Sequence, residues 1–156
     1  VEASTADGRV TVTATLTNTG AGHHVPTDHP GRHLLLVVRA TDGAGQPLTL
    51  EQGDTIPAWG GSHAGWPGSA YAKILRDVAS GEAPVVSYWK QALIVADTRL
   101  PALADDSSTY TFVAPPGNAT ITVRVLFRRL FEPIADRYGW DVGEVVMEER
   151  TVEVQG

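Results

Sequence analysis

Four of the five histidines in this chain of 156 residues fall within the segment GHHVPTDHPGRH at residues 22–33. They are His23, His24, His29 and His33. Neutral imidazoles beside a carboxylate such as Asp28 are ligands for transition metals, including Zn, Cu, Ni and Fe. The segment contains neither a helical i, i+4 pair of histidines nor a short zinc-type spacing, so a metal site is one interpretation among several.

A structural role for this segment also stays open. Gly22 and His23 can shape a turn in which the imidazole bonds to backbone carbonyls, because a loop must satisfy its own polar groups. The fifth histidine, His63, could join a metal or small-ligand site formed by the other four.

Asp97 and Arg99 flank a single threonine directly after the apolar segment ALIVA. On a strand both side chains point to the same face, where the guanidinium fork suits a carboxylate. A structural ion pair that pins a loop is one interpretation, and recognition of a ligand is the other. Arg32 could join this pair.

Two of the four tryptophans, Trp59 and Trp66, lie in the glycine-rich segment at residues 53–70. If both are exposed, they form a flat platform for a sugar ring or a haem edge, as in a carbohydrate-binding module. If they are buried, they cap an open end of the fold. The density of glycine and proline in this segment predicts a long loop without regular structure.

Composition restricts the classes of function. With 42% hydrophobic and 19% charged residues, the chain is typical of one globular domain spanning residues 1–156. A net charge of −6 provides no electrostatic footprint for nucleic acid, and no apolar run is long enough to cross a bilayer. The absence of cysteine excludes disulfides and haem attachment through CxxCH within this chain.

Alternating residues predict strands. Residues 9–19, RVTVTATLTNT, place Val10, Val12, Ala14 and Leu16 on one face and threonines on the other. Further strands are predicted at LLLVVRATD, LTL, VVSYWKQALIVAD, Thr109 to Val113, Ala119 to Leu126 and EVVMEERTVEV, and residues 71–78 are interpreted as strand rather than helix. About seven or eight strands separated by Gly/Pro/Asp turns indicate an antiparallel, immunoglobulin-like β-sandwich.

One short helix is predicted at FEPIADRYGW, with Pro133 near its start and Gly139 past its end. The chain starts at Val1 without methionine or a signal-like apolar stretch. We therefore expect a processed protein or a piece of a longer one.

Three segments carry a family resemblance. NTGAGHHVPTDHPGRHLLLVV resembles the Asn-x-x-Ala-Gly-His-x-x-Pro-Thr-Gly segment of the non-haem β-rich domain fused to bacterial multihaem c-type cytochromes. ADTRLPA resembles that domain's Asp-Thr-Arg-Ile-Pro-Pro segment, and VRVLFRRLF resembles its strand ending in an aromatic-Arg pair. The three segments occur in the same order over about 110 residues, although Asp28 stands where the pattern prefers glycine.

The resemblance implies a non-catalytic β-sandwich that docks on, or shields, a haem-bearing electron-transfer partner outside the cytoplasm. The haem would belong to that partner, and the loops at residues 20–33 and 53–70 would form the contact end. The resemblance also implies that His23 can act as, or beside, an axial ligand to the partner's haem. A metal- or small-ligand-binding module and a carbohydrate-binding module are the alternatives. An enzyme is not expected, because the chain has no nucleophile elbow, paired-histidine zinc helix or phosphate loop.

Overall fold

Two four-stranded antiparallel sheets pack face to face in the computed structural model, which describes residues 1–155. The elements are β1 (Glu2–Ala6), β2 (Arg9–Thr17), β3 (His33–Asp42), β4 (Leu50–Gln52), a 3₁₀ helix (Ala58–His63), β5 (Gly68–Tyr71), β6 (Lys73–Asp77), β7 (Ala92–Asp97), β8 (Asp105–Val113), β9 (Ala119–Arg128), α1 (Glu132–Tyr138) and β10 (Glu144–Val154). The all-β prediction is confirmed.

The strand order of the first sheet is β1-β2-β8-β4, and that of the second is β10-β9-β3-β5. The neighbours β1-β2-β8 and β10-β9-β3 follow the A-B-E and G-F-C orders of an immunoglobulin sandwich. Strands β6 and β7 form a separate antiparallel hairpin. The described residues therefore contain ten strands rather than seven or eight, because β1 adds to the set and residues 68–77 divide into two strands.

The core between the sheets follows the alternation read from the sequence. Val10, Val12 and Ala14 of β2 are buried, while the intervening threonines line the outer face. They pack in one cluster with inward residues of β3, β8 and β9, among them Val38 and Phe112. The period-two prediction for this strand is confirmed, because the sheet buries only one of its faces there.

Strand β3 is buried on both faces. Leu34 and Leu36 point into the core between the sheets, whereas Leu35 and Val37 pack with Ile56 in a second cluster outside the second sheet. The glycine-rich segment at residues 53–67 provides this outer cover. A strand covered on both sides consists of a continuous apolar run, which explains the sequence LLLVV.

The glycine-rich segment is more ordered than the sequence predicts. It contains the 3₁₀ helix Ala58–His63, and the strand Gly68–Tyr71 follows directly. Gly68 makes the strand possible, because a Cβ at this position would lie 2.1 Å from the carbonyl oxygen of Leu36. The expectation of a loop without regular structure is therefore wrong for residues 58–63 and 68–70.

The sequence correctly predicted the helix α1 and the extended conformation around β6. The helix Glu132–Tyr138 has proline near its first turn, and Gly139 ends it in the left-handed conformation. Most of residues 71–78 are extended, in β5 and β6, as predicted. Between residues 1 and 155, no helix combines the length and apolar character that crossing a membrane requires.

Candidate functional site

An aromatic cluster closes the end of the second sheet where β3 begins. His33, the first residue of β3, is fully buried, and its ring stacks on Phe131 with a centroid distance of 4.9 Å. Trp59 meets both rings edge-on, at 5.5 Å and 5.3 Å. His33 therefore lies in the interior and not on the contact end expected for the loop at residues 20–33, because aromatic neighbours surround its side chain.

Burial fixes the chemistry of His33. Its Nδ1 donates to the carbonyl oxygen of Gly31 at 2.9 Å, and its Nε2 has no hydrogen-bond partner among the described residues. Desolvation lowers the pKa of this imidazole to about 4, against the partial opposition of the Gly31 hydrogen bond. His33 is thus a neutral core residue at pH 7. Unlike the other three candidate ligands of its segment, it does not present its imidazole at the surface.

Next to this cluster lies a buried guanidinium. Arg128, the register partner of His33 on β9, has a side chain that is only 7% exposed. It donates to Glu132, to Glu144 at 2.8 Å, to Ser62 Oγ at 2.9 Å and to the carbonyl oxygen of Gly60 at 3.1 Å. Arg128 therefore joins β9 to α1, β10 and the 3₁₀ helix.

The two glutamates are ionised in this arrangement. Burial opposes the charge on Glu132, but hydrogen bonds from the Ser62 backbone and hydroxyl, together with Arg128, hold its pKa below the usual value. Burial also opposes the charge on Glu144, and Arg128 and His63 outweigh it in the same way. His63 Nε2 contacts Glu144 Oε2 at 3.0 Å. The result is a compensated ionic cluster.

A cleft of about 440 Å³ opens beside this ionic cluster and is lined by Ser62, His63, Glu132, Glu144 and Trp140 among others. The cluster satisfies the charges of its own members, so the cleft presents carboxylates already committed to Arg128. Within residues 1–155, no three His, Cys, Asp or Glu side chains are grouped as a metal site would require. We therefore interpret the cleft as the solvent-facing side of the ionic cluster around Arg128, which has a structural role.

The histidine-rich loop is held by a clamp around Asn18. The Nδ2 of this buried side chain donates to the carbonyl oxygens of His23 and Pro101, both at 3.0 Å, and its Oδ1 accepts from the amide of Ala21 at 3.0 Å. Val25 and Leu100 exchange two backbone hydrogen bonds at 2.8 and 2.9 Å. The loop is therefore fastened to the segment that follows β7.

The remaining imidazoles of this loop are exposed. His23 Nδ1 lies 3.0 Å from the carbonyl oxygen of His24, an acceptor that fixes the proton on Nδ1 and leaves the Nε2 lone pair free. His29 has the opposite tautomer, because its Nδ1 accepts from the amide of Gly31 at 3.1 Å. A metal-binding role for His23, His24 and His29 stays a prediction.

Asp97 and Arg99 form the ion pair that their spacing suggests. The guanidinium engages both carboxylate oxygens, at 2.8 and 2.6 Å, and this hydrogen bonding keeps the pKa of Asp97 below its usual value. Arg32 does not join them: it pairs with Asp28 at 3.1 Å. Each pair satisfies its own charges, so the geometry matches the structural interpretation of Asp97 and Arg99.

Trp59 and Trp66 do not form a shared platform. Trp59 packs inward against His33 and Phe131, whereas Trp66 is 37% exposed, lies edge-on to His63 and sits under the guanidinium of Arg39 at 5.1 Å. Of the two alternatives that the sequence left open, burial applies to Trp59, because its apolar neighbours cover most of its ring. Trp66 remains an exposed aromatic residue.

The exposed aromatic surface lies elsewhere. Tyr88 and Trp89, in the segment between β6 and β7, are 92% and 74% exposed, and Tyr138 and Trp140, at the end of α1, are each 56% exposed. The sequence analysis placed Tyr88 and Trp89 in a predicted strand and Tyr138 and Trp140 at the end of a predicted helix, and so missed this set.

The three segments that carry the family resemblance meet in space. Residues 18–38 contact residues 96–102 through Asn18 and the Val25–Leu100 bridge. They contact residues 123–131 through the part of the β3–β9 pairing that runs from His33–Arg128 to Val38–Val123. His33 stands opposite Arg128 in that pairing. The quoted motifs therefore describe one connected end of the fold.

Comparison with known proteins identifies a fold. No known family matches the chain by sequence profile, and no curated protein matches it by sequence. The structure is similar to that of a penta-heme cytochrome c552 from Thermochromatium tepidum, with a TM-score of 0.72 and 18% identity. The match covers 97% of this chain and 38% of that cytochrome, so this chain spans well under half of its length.

Proposed function

We propose that this chain is a non-catalytic β-sandwich domain that docks on the haem-bearing part of an extracytoplasmic, multihaem-cytochrome-like electron-transfer protein. One observation carries the proposal: nearly the whole chain superimposes on part of a penta-heme cytochrome. The convergence of the three resembling segments at one end of the fold supports the same conclusion. Because one fold can host unrelated functions, the proposal also requires that a haem-bearing partner exists.

The haem would belong to the partner. This chain has no cysteine, so it cannot attach a c-type haem itself. What it can offer is an axial ligand. His23 is exposed and has Nδ1 directed at a backbone carbonyl, which is the orientation that a histidine needs to present Nε2 to a metal.

The reading frame around this chain tests the proposal. We expect CxxCH motifs in the same polypeptide or in that of an adjacent gene. Expression of that polypeptide in a host able to mature c-type cytochromes should yield covalently bound haem, detected by haem staining and by the reduced α-band. Absence of haem-attachment motifs from both the polypeptide and its neighbours would overturn the proposal.

The role of His23 is tested separately in the same haem-containing protein. We expect His23→Ala to convert one low-spin haem to a high-spin form, seen as a Soret shift and a change in the electron paramagnetic resonance spectrum. His29→Ala is the matched control, because its Nδ1 accepts a backbone hydrogen bond and leaves the proton on Nε2. An unchanged spectrum in His23→Ala would remove the axial-ligand assignment and leave the docking proposal standing.

A further inference from the structure

The four exposed aromatic side chains, Tyr88, Trp89, Tyr138 and Trp140, belong to one surface, which we call the aromatic face. They line a common cleft of about 640 Å³ between the segment at residues 82–90 and the helix α1. Tyr88 meets Trp89 edge-on at 5.3 Å, and Tyr138 stacks on Trp140 at 4.8 Å. Contiguous exposed aromatic residues of this kind mark interaction sites.

The aromatic face is built on a fixed base. Val85, Leu130 and Ile134, which line the same cleft, are buried. Glu82 ties the two sides together, because it accepts from Arg137 of α1 at 2.6 Å and from Lys90 at 3.3 Å. These segments therefore lose their conformational entropy when the chain folds, and binding of a partner does not have to order them.

The helix terminus gives the second ring pair its position. Gly139 adopts φ 65° and reverses the chain after α1, and the amide of Trp140 then donates to the carbonyl oxygen of Ala135 at 3.0 Å. This turn places Trp140 against Tyr138. Both rings are held at the surface by backbone geometry, although neither gains the burial that normally rewards an aromatic side chain.

The charge around the aromatic face differs from that of the chain. Lys90, Arg129 and Arg137 line the cleft. Two of them are already paired, Lys90 with Asp77 and Glu82, and Arg137 with Glu82. Arg129 is exposed and forms no ion pair among the described residues, on a chain whose net charge is −6. An aromatic cleft with one uncommitted arginine is complementary to a flat, apolar group that carries a carboxylate.

We propose that the aromatic face docks on the exposed edge of a c-type haem in the partner, with Arg129 facing a haem propionate. This inference rests on the proposed function and centres the docking contact between residues 82–90 and α1, where His29 is the contribution of the loop at residues 20–33 to the cleft. A porphyrin edge provides a planar apolar surface for the aromatic rings. Its propionates are carboxylates, which arginine recognises through its planar fork.

The test uses this chain and a c-type haem peptide, a short CxxCH peptide with its haem covalently attached. Imidazole is added in excess so that the open axial position of the haem is occupied and exposed histidines cannot coordinate it. Binding is followed by the shift of the Soret band, which reports on the haem and so does not depend on which tryptophans remain.

We expect the double variant Trp89→Ser/Trp140→Ser to bind the haem peptide at least tenfold more weakly than the unmodified chain. Trp66→Ser is the control, because this exposed tryptophan lies outside the aromatic face and its variant should bind within twofold of the unmodified chain. Arg129→Glu should weaken binding about fivefold and reduce its dependence on salt. Melting temperatures and far-UV circular dichroism verify that each variant is folded.

Two outcomes overturn this inference. Either the unmodified chain does not bind the haem peptide, or the aromatic and Arg129 variants bind as it does. Sedimentation of the chain alone provides an additional arm, and dimerisation abolished by Trp89→Ser/Trp140→Ser would assign the face to a second copy instead. The reading-frame test decides the proposed function independently, since haem motifs can be found while the aromatic variants still bind normally.

Discussion

At the scale of single residues, Arg128 forms buried ion pairs, whereas the nearby Arg124 forms an exposed one. It lies on β9 close to Arg124, and each arginine pairs with a glutamate of β10. The pair of Arg124 with Glu149 is 45% exposed on both sides, whereas the Arg128 side chain is 7% exposed. Solvent screens the charges of the Arg124 pair. The charge of the buried Arg128 guanidinium is compensated only by the protein groups that bind it.

We therefore predict unequal effects of two matched substitutions. Arg128→Met should lower the free energy of unfolding by about 3 kcal/mol, because it leaves Glu132 and Glu144 without their shared cation. Arg124→Met should cost less than about 1 kcal/mol. Urea unfolding at pH 7 measures both, and equal losses would contradict the structural role assigned to Arg128.

His33 predicts a pH dependence of stability. Burial lowers the pKa of His33 from its ordinary value of 6.5 to about 4 in the folded chain, so between these values the unfolded chain binds a proton that the folded chain does not. Stability therefore falls as the pH drops through this window, by about 2 kcal/mol between pH 7.5 and pH 5. Urea unfolding across this range measures the effect.

The matched variant is His33→Asn, which keeps a side-chain donor but cannot titrate. Its stability should change by less than about 0.5 kcal/mol over the same range of pH. Glu132 and Glu144 have lowered pKa values, so their contribution is present above the usual carboxylate pKa and is lost at more acidic pH. An equal loss between pH 7.5 and pH 5 in both proteins would show that His33 is not the titrating group.

At the scale of elements, the Asn18 clamp determines where the histidine-rich loop lies. Asn18 follows β2, and it holds backbone groups from the loop at residues 20–33 and from the segment after β7. Side-chain amides suit such a position, because they provide both donors and an acceptor. The loop is therefore ordered by a residue outside the histidine-rich segment itself.

We predict that Asn18→Ala lowers the free energy of unfolding by about 2 kcal/mol, because three backbone groups lose a partner. Amide hydrogen exchange at Val25 and Leu100 should accelerate at the same time. Thr15→Ala is the control, since it removes an exposed hydroxyl bonded to Ser107 and should cost less than about 0.5 kcal/mol. Unchanged exchange in Asn18→Ala would mean that the Val25–Leu100 bridge is sufficient alone.

At the scale of the whole molecule, the sandwich and its outer cover share strand β3. One face of this strand belongs to the core between the sheets, and the other packs under the glycine-rich segment. The outer cluster cannot lose its packing without exposing a strand on which the central core depends. This arrangement favours unfolding of residues 1–155 as one unit.

We accordingly predict a single transition in urea. Far-UV circular dichroism, which follows the sheets, and tryptophan fluorescence, which includes Trp59 in the outer cluster, should give coincident curves. A fluorescence transition at lower urea concentration would indicate that the glycine-rich cover and α1 form a separate unit.

The alternation of apolar and polar residues by itself determined β2, and proline and glycine punctuation determined α1. These features depend on neighbours two to four positions away, so a local pattern contains them. The same holds for Asp97 and Arg99, which are two residues apart and pair with each other. The absence of cysteine likewise excluded thioether attachment of a c-type haem to this chain from composition alone.

Only the tertiary structure decided the fate of the histidines and tryptophans. His33 became a core residue because Phe131 and Trp59, far away in sequence, pack on its ring. Tyr88 and Trp89 lie in the same cleft as Trp140 because the segment before β7 packs beside α1. Burial and proximity of this kind depend on which segments, far apart in the sequence, pack against each other. The periodicity of a strand or helix shows which face of that element is apolar, but not which other element covers it.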